Sequence, residues 1–148
     1  MSTDVYVEAQ MLIRKPVAEV FEAFVNPEIT TQFWFTKSTG KLEEGKSVTW
    51  EWEMYGVKSN VTVHEIIPDQ SIKTEWGDPA VQVDYEFKEM EKGTLVVIRS
   101  YGYDQTGENL LRTVNDNTGG FTTVLDGCKA YLEHGINLNL MEDKFPRK

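Results

Sequence analysis

Apolar and polar side chains alternate with a period of two through five successive segments in the middle of the chain, and residues typical of tight turns separate these segments. The segments are 47–54, 57–67, 72–76, 81–88 and 95–101. Such alternation is typical of strands with one buried face and one solvated face. We therefore predict an antiparallel meander whose apolar face must be covered by another element.

A long helix over residues 121–140 is the predicted cover. Its apolar residues recur at helical spacing and mark one stripe. They are Phe121, Val124, Leu125, Cys128, Tyr131, Leu132 and Ile136. We expect Gly119-Gly120 to open this helix, and residues 104–117 to form a loop or a short helix before the glycines. The sheet and this helix together would enclose a space.

The chain before the meander is predicted to form one strand and two short helices. Residues 5–13 alternate like a half-buried strand, and a helix is predicted from Pro16 to Asn26-Pro27, where the second proline stops it. A second short helix, 28–33, ends in Phe33-Trp34-Phe35. Because three adjacent rings cannot all be buried by one short helix, we expect exposed aromatic side chains there. The order of elements predicts an α+β fold in one domain, 1–148.

Charge and composition narrow the classes of partner. The net charge is −9, which disfavours nucleic acid as a partner because phosphate binding requires clustered Lys and Arg. Nowhere do about 18 apolar residues run together, so no membrane insertion is predicted. The single cysteine allows no internal disulfide, and the start Met-Ser-Thr-Asp lacks the features of a secretory signal, so we expect a cytoplasmic protein.

Four stretches of the sequence resemble the START-like superfamily, and within it the branch named after the activator of Hsp90 ATPase. They are Lys15-Pro16 with Val20-Phe21, Ala23-Phe24 and Asn26-Pro27; Phe33-Trp34; Glu65 to Pro68 with Thr74-Glu75-Trp76; and Gly119-Gly120-Phe121 with Val124-Leu125, Lys129 and Leu132. The resemblance implies a helix-grip fold, in which a curved antiparallel sheet wraps around a long C-terminal helix. It implies no single activity, since this scaffold serves lipid carriage, hormone binding, polyketide ring closure and chaperone contact.

A pocket between the sheet and the helix is the predicted functional site. Large rings on the inner sheet face would lie opposite the small residues Gly127, Cys128 and Ala130, and this pairing can leave a void. The predicted lining residues are Trp50, Trp52, Trp76, Tyr85, Phe87, Val124, Leu125, Cys128 and Leu132. Ordinary core packing is the alternative interpretation of the same residues.

Two charged residues are candidates for polar groups in this pocket. Glu65 is in phase with Val61 and Val63, so its carboxylate would lie at the pocket mouth, where desolvation raises a pKa towards that of a general base. The alternative is a solvated glutamate at a strand end. Arg99 lies on a strand that is apolar on both sides, and if it points inward it could hold a ligand carboxylate.

No metal site and no cofactor are predicted. We expect His64 to point to solvent or to the sheet edge, and His134 lies among polar neighbours near the end of the last helix. Neither has a partner at the spacing that metal ligands need.

Three functions remain open from the sequence. The first is binding of a small hydrophobic or amphipathic molecule in the pocket, without catalysis. The second is a protein-binding factor like an activator of an Hsp90-type ATPase, which the branch resemblance and the expected exposed aromatics favour. The third is a cyclase- or hydrolase-like enzyme that uses the same pocket. Monomer and homodimer are equally compatible with the sequence.

Overall fold

The computed structural model describes residues 5–77 and 79–146. The first four residues, from which we expected no secretory signal, and Asp78 of one predicted turn lie outside this part of the chain. The strands are β1 (Tyr6–Ile13), β2 (Lys37–Ser38), β3 (Ser47–Trp52), β4 (Val57–Ile67), β5 (Ser71–Trp76), β6 (Val81–Met90) and β7 (Gly93–Tyr101). The helices are α1 (Val17–Val25), α2 (Pro27–Thr30), α3 (Gly107–His134) and α4 (Leu140–Lys144), and a 3-10 turn covers Glu53–Tyr55.

The seven strands form one antiparallel sheet in the order β1-β7-β6-β5-β4-β3-β2. The sheet is curved and open, and α3 lies along its concave side as the helix-grip fold requires. The five strands predicted for the meander are all present. In β6, Val83, Tyr85 and Phe87 are buried while Glu86 and Lys88 are exposed, so the period-two pattern correctly identified the inner face.

The first strand lies at one edge of the sheet, beside the last strand. β1 pairs with β7 over their whole length, from Tyr6 opposite Tyr101 to Ile13 opposite Thr94. Gly93 makes this close approach possible, because a Cβ atom at that position would lie 2.2 Å from the carbonyl oxygen of Ile13. Any other residue would push the two chain segments apart.

Helix α3 is longer than predicted and begins earlier in the chain. The 28-residue helix runs through Gly119-Gly120 without a break and ends at Gly135, whose left-handed φ of 66° stops it. The predicted start at these glycines and the predicted end at Leu140 are therefore wrong. A glycine within a helix costs roughly 1 kcal/mol relative to alanine but does not end it. The additional turns before Gly119 are stabilised because Leu110 and Val114 pack against the core.

Hydrogen bonds connect the C-terminal end of α3 to the end of β1. The ammonium group of Lys129 donates to the carbonyl oxygen of Leu12 at 3.0 Å and to the carboxylate of Glu133 at 2.6 Å. Glu133 also accepts the backbone N–H of Arg14 at 2.8 Å. These bonds fix which face of the helix meets the sheet.

None of the helices in the described part of the chain is long and apolar enough to cross a membrane. The longest of them, α3, is polar along its outer side.

Alanine substitutions distinguish the glycines of α3 that have room for a side chain from the one that does not. Gly119 and Gly120 have open space where a Cβ would stand, whereas a Cβ on Gly127 would lie 3.1 Å from the Cβ of Phe33. We expect the double change Gly119→Ala, Gly120→Ala to raise the free energy of unfolding by about 1–2 kcal/mol in urea titrations. Gly127→Ala should lower it by about 1–3 kcal/mol through overpacking. A loss of stability in the double variant would mean that the helix is interrupted at these glycines.

Candidate ligand-binding site

Seven aromatic side chains pack together between the sheet and α3, and we call them the ring cluster. They are Trp34, Phe35, Trp50, Trp52, Trp76, Tyr85 and Phe121. The Trp34 ring is central, since its centroid lies 4.9 Å from that of Trp50 and 6.3 Å from that of Phe121 on α3. Phe35 stacks on Trp50 with a centroid distance of 4.3 Å. All four tryptophans of the chain are in this cluster.

Two of the three aromatic residues that were expected at the surface, Trp34 and Phe35, belong to this cluster. Phe33, Trp34 and Phe35 are only 7%, 5% and 1% exposed, so the prediction of exposed rings is wrong. They lie after α2 rather than within it, and the hydroxyl of Thr30, the last residue of α2, shares its hydrogen between the carbonyl oxygens of Ala23 and Asn26. Irregular backbone can place neighbouring side chains on one side, which a helix cannot.

The void that was predicted opposite the small helix residues is consequently filled. The backbone of Phe33 packs against Gly127, and its carbonyl oxygen would lie 3.3 Å from a Cβ at that glycine. Trp34 then fills the space in front of the inner sheet face. Gly127 therefore accommodates the backbone of the loop that follows α2.

The structure gathers some of the predicted pocket residues and separates others. Trp50, Trp52, Trp76 and Tyr85 meet in the ring cluster, whereas Phe87 packs with Phe21 and Phe24. Phe24 connects this group to the cluster, since its ring centroid lies 5.9 Å from that of Tyr85. On the helix, Val124, Leu125 and Cys128 are buried and Leu132 is partly buried.

An open cleft of about 630 Å³ adjoins the ring cluster. It is lined by Trp52, Tyr55, Val57, Lys58, Ser59, Asn60, Trp76 and Gly77. The cleft exists because β5 ends at Trp76, opposite Val61, while β4 continues beyond that point beside β3. Trp52 and Trp76, whose rings lie nearly parallel at 26°, belong to both the cleft and the cluster. Tyr55 and Val57 were not among the predicted lining residues, although the period of β4 places Val57 in phase with Val61.

Two polar atoms are buried within the ring cluster without a hydrogen-bond partner among the described residues. They are the indole Nε1 of Trp76 and the hydroxyl oxygen of Tyr85. Burial raises the pKa of Tyr85 far above its usual value, so this side chain keeps its proton. The Thr74 hydroxyl and the Trp76 indole lie close enough to the Tyr85 hydroxyl to oppose part of this rise in its pKa. Thr74 already donates to the carbonyl oxygen of Val83 at 2.8 Å.

Glu65 lies on the outer face of the sheet, not at the pocket mouth. A bulge in β4 adds one residue between Val63 and Glu65, so that Val63 pairs with the inward Thr74 but Glu65 pairs with the outward Lys73. The nearest atoms of the Glu65 carboxylate and the Lys73 ammonium group are 3.9 Å apart. The inserted residue reverses the alternation on which the prediction depended.

Arg99 also points outward, so it cannot hold a ligand inside the pocket. Its Nε donates to the carboxylate of Glu8 at 2.9 Å, and its guanidinium group lies 5.0 Å from the ring centre of Tyr6. This contact pairs two neighbouring strands on the solvated face.

The remaining candidates have structural explanations. His64 is exposed and bonds to the Glu75 carboxylate at 2.9 Å, which confirms that it points to solvent. His134 is exposed at the end of α3. Cys128 is fully buried and burial raises the pKa of its thiol, so it is a packing residue and not a nucleophile.

Two buried tyrosines allow a matched test of the unpartnered hydroxyl. The Tyr103 hydroxyl donates to Ser100 Oγ at 2.8 Å and accepts from Asn117 at 3.1 Å, whereas that of Tyr85 has no partner. We expect Tyr103→Phe to lower the free energy of unfolding by about 1–2 kcal/mol. Tyr85→Phe should leave it within about 0.5 kcal/mol or raise it, because the buried hydroxyl makes no bond that could be lost. Equal losses in both variants would show that Tyr85 is bonded in solution.

Comparisons with known proteins agree with this architecture. A family model described as "Activator of Hsp90 ATPase homolog 1-like protein" matches residues 14–133. No curated protein gives a significant match. The crystal structure of the protein SSP2350 from Staphylococcus saprophyticus is 30% identical in sequence, has a TM-score of 0.81, and the match covers 90% of this chain and 96% of that one.

Two more distant structures share the fold alone. DynU16, a protein of the dynemicin biosynthetic locus, is 19% identical with a TM-score of 0.82, and the match covers 91% of this chain but 49% of DynU16. The solution structure of the Aha1 dimer from Colwellia psychrerythraea is 14% identical with a TM-score of 0.75, and the match covers 88% of this chain and 98% of that one. Since the family model spans most of the sequence, the chain belongs to the START-like family of activator of Hsp90 ATPase homolog 1-like proteins.

Proposed function

We propose that the protein binds a small apolar or amphipathic molecule at the ring cluster, which the ligand enters through the adjoining cleft. The observation that carries this proposal is the shared wall, since Trp52 and Trp76 line the open cleft and also pack inside the cluster. The cleft volume of about 630 Å³ lies within the range of small-molecule sites.

Trp34 is the residue that a deeper ligand would displace. It lies in the loop between α2 and β2, outside the regular strands and helices. Its ring fills the space between the sheet and Phe121. A ligand ring in the same place would recover the apolar contacts that the indole gives up.

Binding is favoured over catalysis by the position of the charged residues. Every member of the ring cluster is uncharged. Of the groups on which the enzyme hypothesis depended, Glu65 and Arg99 form ion pairs on the outer face, and burial raises the pKa of Tyr85, so this tyrosine keeps its proton. General acid–base chemistry needs a titratable group in reach of the bound molecule.

Two matched glutamate variants test the proposed entry. Val57 in the cleft is 49% exposed and Leu111 on α3 is 70% exposed. Native mass spectrometry of the freshly purified protein, followed by denaturing extraction, should show a bound mass in the wild type and in Leu111→Glu. Val57→Glu should reduce occupancy at least tenfold, since it places a carboxylate in an apolar passage. Thermal melting checks that both variants fold. Equal occupancy in the two variants would reject the cleft as the entry.

A second candidate function is contact with an Hsp90-type ATPase. The family description names such an activator, and Ile136 and Leu138 expose apolar side chains between α3 and α4. The Colwellia psychrerythraea neighbour is described as a dimer, so this surface can equally serve contact with a second copy.

The expected result for this candidate is a rise in ATP hydrolysis when the protein is added to an Hsp90-type ATPase. The double change Ile136→Ser, Leu138→Ser should abolish the rise, whereas Leu111→Ser, elsewhere on the surface, should preserve it. An unchanged hydrolysis rate at saturating protein would exclude this function.

A further inference from the structure

The hairpin of β3 and β4 extends beyond the hairpin of β5 and β6, and this leaves part of one edge of β4 uncovered. β4 begins at Val57 and pairs with β3 from there to Thr62. On its other side, the pairing with β5 stops where Val61 lies opposite Trp76. Within the described part of the chain, residues 57–60 therefore have a neighbouring strand on one side only.

The register shows which backbone groups of this edge are free. Val63 exchanges two backbone hydrogen bonds with the chain segment that leads into β3. Because backbone groups of successive residues in an antiparallel strand point to opposite sides, those of Ser59 also point to β3. The N–H and C=O groups of Lys58 and Asn60 point the other way, and among the described residues they have no backbone partner there.

These free backbone groups lie beside apolar rings. Lys58 and Asn60 line the open cleft, and so do Trp52 and Trp76. A strand edge with unpaired N–H and C=O groups is a template for another extended chain. A cleft that offers backbone donors, backbone acceptors and aromatic side chains together matches the backbone and side chains of a peptide.

We propose that residues 57–60 of β4 bind an extended peptide segment of a partner protein, which adds to the sheet as an antiparallel strand in line with β5. Four residues of a strand span about 13 Å, so the segment that pairs here is short. This interaction goes beyond the proposed function, because it depends on the backbone of β4 and not on a ligand within the ring cluster.

The inner face of the sheet favours apolar side chains at alternate positions of the peptide. Peptide residues opposite Val57 and Ser59 point to that face, since directly opposed residues of two strands share a face. There they meet the rings of Trp52 and Trp76, which are both half-buried.

The outer face favours an acidic residue between these apolar ones. The peptide residue opposite Lys58 points outward, beside the exposed lysine side chain. Glu51 is the β3 partner of Lys58, yet no ion pair of Lys58 is found among the described residues. A carboxylate on the peptide would give this ammonium group a partner on the free side.

A second copy of the chain fits this edge less well than a peptide does. A stable interface buries roughly 800 Å² on each partner, and about 13 Å of strand edge supplies only a small part of that area. The edge also lies in a cleft that Tyr55 and Trp76 border. A single extended chain enters such a cleft more easily than the edge of another folded sheet.

Four capped peptides based on the sequence Thr-Val-Glu-Val test the inference by NMR titration of the isotope-labelled full chain. In the proposed register the threonine lies opposite Asn60 and the glutamate opposite Lys58. The first peptide is unmodified, the second is N-methylated at the glutamate, and the third is N-methylated at the first valine. The fourth has lysine in place of the glutamate.

The two N-methyl peptides are a matched pair, because only one of the two methyl groups blocks the strand edge. The glutamate N–H points to β4, whereas the N–H of the first valine points away from it. We expect methylation of the glutamate to weaken binding at least tenfold, and methylation of the valine to change it less than about threefold. The lysine peptide should bind about threefold or more weakly than the unmodified one.

Amide hydrogen exchange in the protein provides an internal control. In the free protein the amides of Lys58 and Asn60 should exchange faster than that of Ser59, which faces β3. A saturating concentration of the unmodified peptide should slow exchange at Lys58 and Asn60 at least about fivefold, and it should change exchange at Ser59 less than about twofold.

Asn60→Pro and Asn60→Ala are the matched protein variants. Proline removes the N–H at the free edge, where strands tolerate it because that group makes no bond within the sheet. Alanine keeps the N–H and loses the side-chain bond to Thr49. We expect peptide affinity to fall at least about fivefold in Asn60→Pro and less than about twofold in Asn60→Ala. Thermal melting checks that both variants fold.

The outcomes separate this inference from the proposed function. Similar effects of the two N-methyl groups would overturn strand addition, and equal binding of the lysine peptide would overturn the acidic position. No binding of the unmodified peptide at about 1 mM would overturn the inference and leave the small-molecule site to its own mass-spectrometric test. Self-association in sedimentation experiments that Asn60→Pro abolishes would assign the edge to a second copy and overturn the peptide.

Discussion

The insertion of Trp34 between the sheet and α3 is the contact on which the interior of this protein depends. Burying an indole removes roughly 150–250 Å² from water, which contributes about 4–6 kcal/mol before entropy is counted. The same insertion sets Phe33 against Gly127 and so fixes how closely the helix approaches the loop. The position of the helix follows from this packing and from the bonds of Lys129 and Glu133 to the first strand.

The two faces of the sheet have different physical tasks. On the outer face, pairs such as Arg99 with Glu8 and Lys73 with Glu65 are solvated, and exposed ion pairs of this kind contribute little to stability. Acidic residues outnumber basic ones in the chain, and the net charge of −9 keeps the surface charged. The inner face carries the large rings, and the site that we propose for a small molecule lies there. This division explains why no charged residue belongs to the ring cluster.

The proposed site is tightly packed. The rings fill the space beneath the helix, and the Trp76 indole and the Tyr85 hydroxyl are buried among them. The family to which the chain belongs does not by itself fix the ligand, because the scaffold is shared by proteins with different roles.

The sequence by itself determined six of the seven strands, the first helix and the amphipathic terminal helix, because each is encoded in a local period of apolar residues, and the resemblance to the START-like superfamily added the helix-grip arrangement. It also placed Trp50, Trp76 and Tyr85 on one face. Three features depended on tertiary structure. The bulge at His64 turned Glu65 outward, the loop after α2 buried Trp34, and packing of distant residues carried α3 through its glycines. These outcomes depend on partners far away in sequence, whose contact energies no local pattern records.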